Sequence, residues 1–190
     1  MKKGKVFILS GPSGSGKTTL YKKLLESPTL KGKLIKTVSV TTRSKRCGEK
    51  HGRDYFFISP KMFLYKKRAG HFLEAQMVFD HYYGTPKKYF YDLLKKNKNI
   101  LLCVDVKGSK VICRKIPNAI KIFIKTPSVA ILEKRLSNRG SENKKTGILR
   151  LETACKELKE AKYYDVVIIN DVLDEAYKDL ETFIFLKLHE

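Results

Sequence analysis

The eight residues Gly11-Pro12-Ser13-Gly14-Ser15-Gly16-Lys17-Thr18 satisfy the pattern G-x-x-x-x-G-K-S/T at every fixed position. That pattern has one structural setting, a glycine-rich loop between the end of a strand and the start of a helix. The flanks supply both. Lys5-Val6-Phe7-Ile8-Leu9-Ser10 is apolar and rich in β-formers, and Thr18-Thr19-Leu20-Tyr21-Lys22-Lys23-Leu24-Leu25 is helix-like. Glycines let the backbone wrap around phosphate oxygens, whose charge is met by successive N–H groups and the positive end of the helix. Lys17 can then reach the β and γ phosphates, and the Thr18 hydroxyl is suited to Mg²⁺. The loop therefore predicts a nucleoside triphosphate site. By itself it does not separate kinases from GTPases or other ATPases.

Apolar runs at 100–106, 119–124 and 166–169 read as further buried strands, and helical patterns lie near 86–97, 128–138, 147–163 and 172–187. This alternation predicts an α/β fold with a parallel sheet covered by helices. Residues 36–85 break the pattern, with short alternating pieces at 36–41 and 55–58 and aromatic clusters near 55–57 and 79–91. They predict a small, partly antiparallel insertion. The polar segment 137–147 has the composition of a mobile loop. A chain of 190 residues suits a single domain.

No apolar run reaches the roughly 18 residues a membrane span needs, and the apolar stretch at the start is too short for a signal peptide. A soluble, cytoplasmic protein with no membrane partner is expected. Cys47, Cys103, Cys113 and Cys155 match neither a metal pair nor a small disulfide framework and read as reduced thiols. Forty Lys plus Arg against nineteen Asp plus Glu leave a formal charge of +21. This favours nucleic acids or phosphorylated small molecules, although lysine runs such as Lys66-Lys67-Arg68 also read as a solvated face. Without a recognised nucleic-acid module, no dedicated nucleic-acid partner is expected.

A second constellation narrows the choice: Val38-Ser39-Val40-Thr41-Thr42-Arg43-Ser44-Lys45-Arg46-Cys47-Gly48-Glu49, then Gly52-Arg53-Asp54-Tyr55, Phe72-Leu73-Glu74 and Tyr82-Tyr83-Gly84-Thr85. Arg43 and Arg46 can present planar donor forks to a phosphate dianion, and the hydroxyls of Tyr55 and Tyr83 can complete its shell. Arg135 and Arg139 stand four residues apart on one helix face, with Arg150 beyond the polar segment.

In order and spacing these motifs resemble the guanylate kinase family, through to Asn170-Asp171. The resemblance implies a P-loop kinase core (about 1–35, 86–126 and 164–190) with helices on both faces. It also implies a GMP-binding region (about 36–85) and a helical lid (about 127–163). It implies transfer of the γ-phosphoryl group of ATP to GMP, and to dGMP, with Mg²⁺ as cofactor, by a monomer or homodimer in purine nucleotide metabolism. The implied catalytic residues are Lys17, Arg43, Arg135, Arg139 and Arg150. Gly11, Pro12, Ser13, Gly14, Ser15, Gly16, Lys17, Thr18 and Asn170 would bind ATP, Asn170 near the adenine. Ser39, Arg43, Arg46, Tyr55, Glu74, Tyr83, Thr85 and Asp105 would bind GMP, with Glu74 accepting hydrogen bonds from guanine. Thr18 would hold Mg²⁺, and Asp105 its water shell.

Three positions depart from the family's usual pattern: Cys103 for an aspartate, Ala75 for an aromatic and Lys45 for a proline. Guanylate-kinase-like scaffold modules and phosphotransferases for other acceptors are the rival readings. The intact Lys17-Thr18 pair argues against the first, and Glu74 with Ser39 against the second.

Overall fold

The structure is a computed structural model and describes residues 3–137 and 144–190. Strand β1 (Val6–Ser10) lies at the centre of the core, and every one of its residues is buried. It pairs in parallel with β7 (Asn99–Cys103) on one side and β8 (Ile120–Lys125) on the other. Strands β2 (Leu34–Lys36) and β9 (Val166–Ile169) complete a five-stranded parallel sheet in the order β2-β7-β1-β8-β9. Parallel neighbours need crossovers, and the intervening helices supply them.

Alternation along β1 divides the core. Phe7 and Leu9 face Leu20 and Leu24 of helix α1 (Lys17–Glu26) and Ala176, Leu180 and Ile184 of α7 (Leu173–His189). Val6 and Ile8 face the opposite layer, with Phe90 and Leu93 of α3 (Lys87–Lys95) and Ile112 of α4 (Val106–Lys115). The 176-180-184 spacing is a single stripe on α7. A fully buried Leu, Ile or Phe such as Leu20, Ile184 or Phe90 contributes roughly 1.5–3 kcal/mol of transfer free energy. Both faces of the sheet are thus covered, as the alternating pattern requires.

The insertion forms a second sheet in the order β4-β3-β6-β5. Strand β3 (Ser39–Thr41) runs parallel to β4 (Tyr55–Phe57) and antiparallel to β6 (His81–Pro86), which forms a hairpin with β5 (Phe72–Val78). Helix α2 (Pro60–Arg68) covers it. The Ser59 hydroxyl caps α2 by accepting from the Met62 N–H at 3.3 Å. Phe63 stacks on Phe72 and Tyr82 at ring separations of 4.6 and 5.1 Å. The remaining helices are α5 (Val129–Ser137) and α6 (Lys144–Leu158), followed by a 3₁₀ turn at Lys159–Tyr163.

Four boundaries differ from the expectation. The strand expected over 100–106 ends at Cys103, because Asp105 accepts from the Gly108 N–H at 2.6 Å and caps α4. Helix α2 was not expected. Lys36 belongs to the core sheet, not to the alternating piece that follows it. Helix α6 begins at Lys144, inside the segment expected to be a loop; residues 138–143 lie outside the described residues.

One ion pair fastens the two sheets together. Lys22 of α1 meets Asp54, which is 3% exposed, at 2.7 Å. The other Asp54 oxygen accepts from the Lys50 N–H at 2.8 Å and from Arg53 Nε at 2.9 Å. Burial alone would raise this carboxyl's pKa, but Lys22 and its other donors hold it well below the ordinary value. The stability it supplies is therefore complete above pH 3.8, the ordinary value, and is lost as pH falls below it. Asp54→Ala is expected to cost about 2 kcal/mol in urea unfolding at neutral pH. That deficit should shrink as acid protonates the wild-type carboxyl.

Candidate active site

The phosphate loop joins β1 to α1, and its glycines are required by contact as well as by torsion. At Gly16 the backbone has φ 91°, and an added Cβ would lie 2.0 Å from Asn170 Nδ2. At Gly11, with φ 141°, it would lie 2.1 Å from the Ile124 carbonyl oxygen. Lys17 Nζ donates to the carbonyl oxygens of Gly11 and Pro12 at 2.6 and 2.9 Å, so the ammonium closes over the loop. Ser15 is fully buried behind the loop. Asn170, 4% exposed, donates to the Ser15 carbonyl at 2.8 Å. Its amide thus braces the loop, and a contact with adenine would come in addition.

Across a cleft of about 510 Å³ stand Ser39, Arg43, Ser44, Lys45, Arg46, Tyr55, Glu74 and Tyr83, facing Gly11, Ser13, Gly14, Gly16, Lys17 and Thr18. Arg43 Nη2 is held by both oxygens of Glu49 at 2.8 and 3.0 Å, and Nη1 donates to the Ser44 carbonyl at 2.6 Å. The Arg46 N–H donates to the same Glu49 carboxylate at 2.9 Å. Burial works against the Glu49 charge, yet Arg43 and the Arg46 N–H keep its pKa below the ordinary value. The rings of Tyr55 and Tyr83 meet edge-on at 6.0 Å. Burial pushes the Tyr55 phenol up, so it is a hydrogen-bond donor across the usable pH range.

Glu74 lies on β5 at the deep end, 6% exposed, and accepts from the Thr85 hydroxyl at 2.8 Å. Burial pushes its carboxyl up to about 7; the Thr85 bond opposes this and the nearby Asp105 charge adds to it. A Cβ on Gly108 would lie 3.1 Å from Glu74 Oε2 and 3.2 Å from Asp105 Oδ1. The two carboxylates therefore converge on Gly108, where an added Cβ would press on both.

Between the two ends the cleft is lined by Cys103, Val104, Asp105, Arg150 and Glu157. Asp105 accepts from the Gly108 N–H through Oδ1 as the cap of α4. With the Thr18 hydroxyl it forms a set of hard oxygen donors beside Lys17, which is the chemistry Mg²⁺ prefers. Among the described residues no group of three or more His, Cys, Asp or Glu is arranged to hold a metal. Burial raises the Cys103 thiol, so it stays protonated and is no substitute for a carboxylate ligand.

Arg135 on α5 donates to the Asp171 carbonyl at 3.3 Å, and its Nη1 lies 4.0 Å from where a Gly16 Cβ would be. Arg150 projects from α6 into the cleft. Arg139 lies outside the described residues.

Among the residues at the cleft and clamp that the sequence did not single out are Glu49, Glu157 and Phe79. Glu49 stood within the quoted motif, and its spacing from Arg43 was the available signal. Glu157 follows Arg150 by two helical turns, hence on the same face. Burial raises its carboxyl to about 7, with Lys17 lowering and Asp105 raising it. Phe79, at the β5–β6 turn, lines the cleft beside Arg150 and had no local signal.

A family model described as Guanylate kinase matches residues 3–187. The chain is 41% identical to the guanylate kinase of Rickettsia prowazekii over 182 residues, 96% of this chain and 91% of that protein. It is also 41% identical to the guanylate kinase of Buchnera aphidicola, over 97% of this chain and 88% of that one. The crystal structure of guanylate kinase from Anaplasma phagocytophilum superposes with a TM-score of 0.80 at 31% identity, covering 97% of this chain and 86% of that chain.

Proposed function

The chain belongs to the guanylate kinase family, and from that premise we propose how its residues divide the transfer of a phosphoryl group from ATP to GMP. The observation that carries the reading is the cleft itself, with a triphosphate loop at one end and a two-arginine, two-tyrosine clamp at the other.

GMP enters with its phosphate toward Arg43, Arg46, Tyr55 and Tyr83 and its guanine edge toward Glu74, Ser39 and Asp105. Thr85 keeps the Glu74 carboxylate oriented. ATP lies along Gly11–Thr18, its β and γ phosphates met by backbone N–H groups and by Lys17. Thr18 and Asp105 would hold Mg²⁺ bound with ATP, and the ion would supply charge neutralisation on the phosphates. A GMP phosphate oxygen is already a nucleophile, so no general base is needed. The work is positioning and stabilisation of charge spread over the transferred oxygens. That task falls to Lys17, Arg43, Arg135 and Arg150, together with Arg139. Closure of α5 and α6 over the cleft excludes water that would divert ATP to hydrolysis. None of the named acceptor contacts requires the ribose 2′-hydroxyl, so dGMP is taken as a second acceptor. Location in the cytoplasm and work in purine nucleotide metabolism, as a monomer or homodimer, belong to the same proposal. No described helix is long and apolar enough to cross a membrane.

Phosphorus NMR of the protein with Mg·ATP and GMP tests the reaction: ADP and GDP should appear in equal amounts. ADP without GDP would mean hydrolysis and overturn the reading.

Glu74 also sets a pH dependence. Its ordinary pKa is 4.5 and the buried value about 7, so the empty site is partly protonated near neutrality, and guanine requires the carboxylate. GMP binding is therefore expected to tighten as pH rises from about 6 to 8, and the proton released on binding to fall from about one toward none over the same range. The GMP phosphate itself titrates near pH 6. Calorimetric titration of wild type against Glu74→Gln separates the two, since only the Glu74 contribution vanishes in the variant.

A further inference from the structure

The turn between β5 and β6 is made by Phe79 and Asp80, whose φ angles are 46° and 64°. Two-residue hairpin turns with both central residues at positive φ favour Asn and Gly, because a Cβ is crowded there. A bulky Phe in that conformation is strained, and such strain persists only where surrounding contacts over-determine it. The contact lies across the cleft: the Arg150 guanidinium carbon is 4.8 Å from the centre of the Phe79 ring, within cation–π range. Both residues line the same cavity, beside Val78, His81 and Glu157. One arrives on the hairpin of the acceptor sheet and the other on helix α6.

We propose that Phe79 is a positioning residue for phosphoryl transfer: its ring, presented by the strained hairpin tip, holds the Arg150 guanidinium in the mouth between the donor and acceptor sites. An arginine side chain loses much rotamer freedom when it is fixed at a developing charge. A ring already against the guanidinium meets part of that loss before the nucleotides arrive. The contact also ties the acceptor hairpin to the lid helix, so that movement of one is felt by the reactive arginine of the other. The proposal rests on the assignment of Arg150 to the transfer step.

The test compares Phe79→Ala, Phe79→Leu, Phe79→Tyr and Arg150→Ala with the double variant Phe79→Ala/Arg150→Ala, each shown folded by its unfolding midpoint. Phe79→Ala and Phe79→Leu are expected to lower kcat about tenfold with KM for GMP and ATP nearly unchanged, and Phe79→Tyr to retain wild-type kcat. Adding Phe79→Ala to Arg150→Ala should cost nothing further. Phe79→Leu with wild-type kcat would show that bulk suffices and overturn the proposal, as would an undiminished Phe79→Ala effect in the double variant. Wild-type kcat in Arg150→Ala would instead remove the Arg150 assignment, and the proposal with it.

Discussion

Lys17→Ala is expected to lower kcat by about a thousandfold or more while the protein stays folded. In the proposed transfer, the charge it removes would stand beside the phosphoryl group as that group develops its own charge. Its ammonium reaches the loop carbonyls of Gly11 and Pro12, while the buried Leu20 and Leu24 anchor the helix. Lys17→Arg should not rescue the rate. A planar fork cannot occupy the position of a compact ammonium folded over the loop. Single-turnover kinetics with an unfolding curve on the same preparation check both halves of the expectation.

Glu74→Gln is expected to lower kcat/KM for GMP by about a thousandfold and to erase most of the preference for GMP over AMP. Guanine presents donors to this carboxylate, while adenine presents a lone pair at the matching position. On the proposed assignment, selection rests on an acceptor that is buried and accepts from the Thr85 hydroxyl. The substitution should at the same time stabilise the free protein at pH 8. With its buried pKa raised, Glu74 lends its full stability only below 4.5, and that contribution is lost as pH rises through about 7. A glutamine carries no such charge. A variant that is harder to unfold yet far poorer with GMP would show that the carboxylate serves binding at the expense of the fold.

The parts of this molecule legible from sequence are those where local pattern and chemistry coincide. The loop at Gly11–Thr18, its flanking strand and helix, and β9 at 166–169 follow from short contiguous signals. Helix α4 was hidden because the apolar run of β7 continues through Val104 and Val106, and only the cap at Asp105 marks the change. Helix α2 was hidden because Phe63 is its one buried residue among lysines, a stripe too thin to show a period. That Ser39, Arg43, Arg46, Tyr55, Glu74 and Tyr83 meet in one cleft agrees with their motif order, but their partners could not be read from it. That Glu49 holds Arg43, that Thr85 orients Glu74 and that Glu157 faces Lys17 are properties of tertiary geometry. Cys103, noted as a departure from the family's usual residue, does line the cleft.

The Glu74 end of the cleft is expected to select a guanine monophosphate for a phosphate delivered from the Lys17 end. The most direct measurement is a coupled assay of ADP release with Mg·ATP and each of GMP, dGMP, AMP, CMP and UMP. The account predicts turnover with GMP and dGMP, and kcat/KM for GMP about 10⁴-fold or more above that for AMP. Comparable turnover with AMP, or none with any acceptor from folded protein, would contradict it.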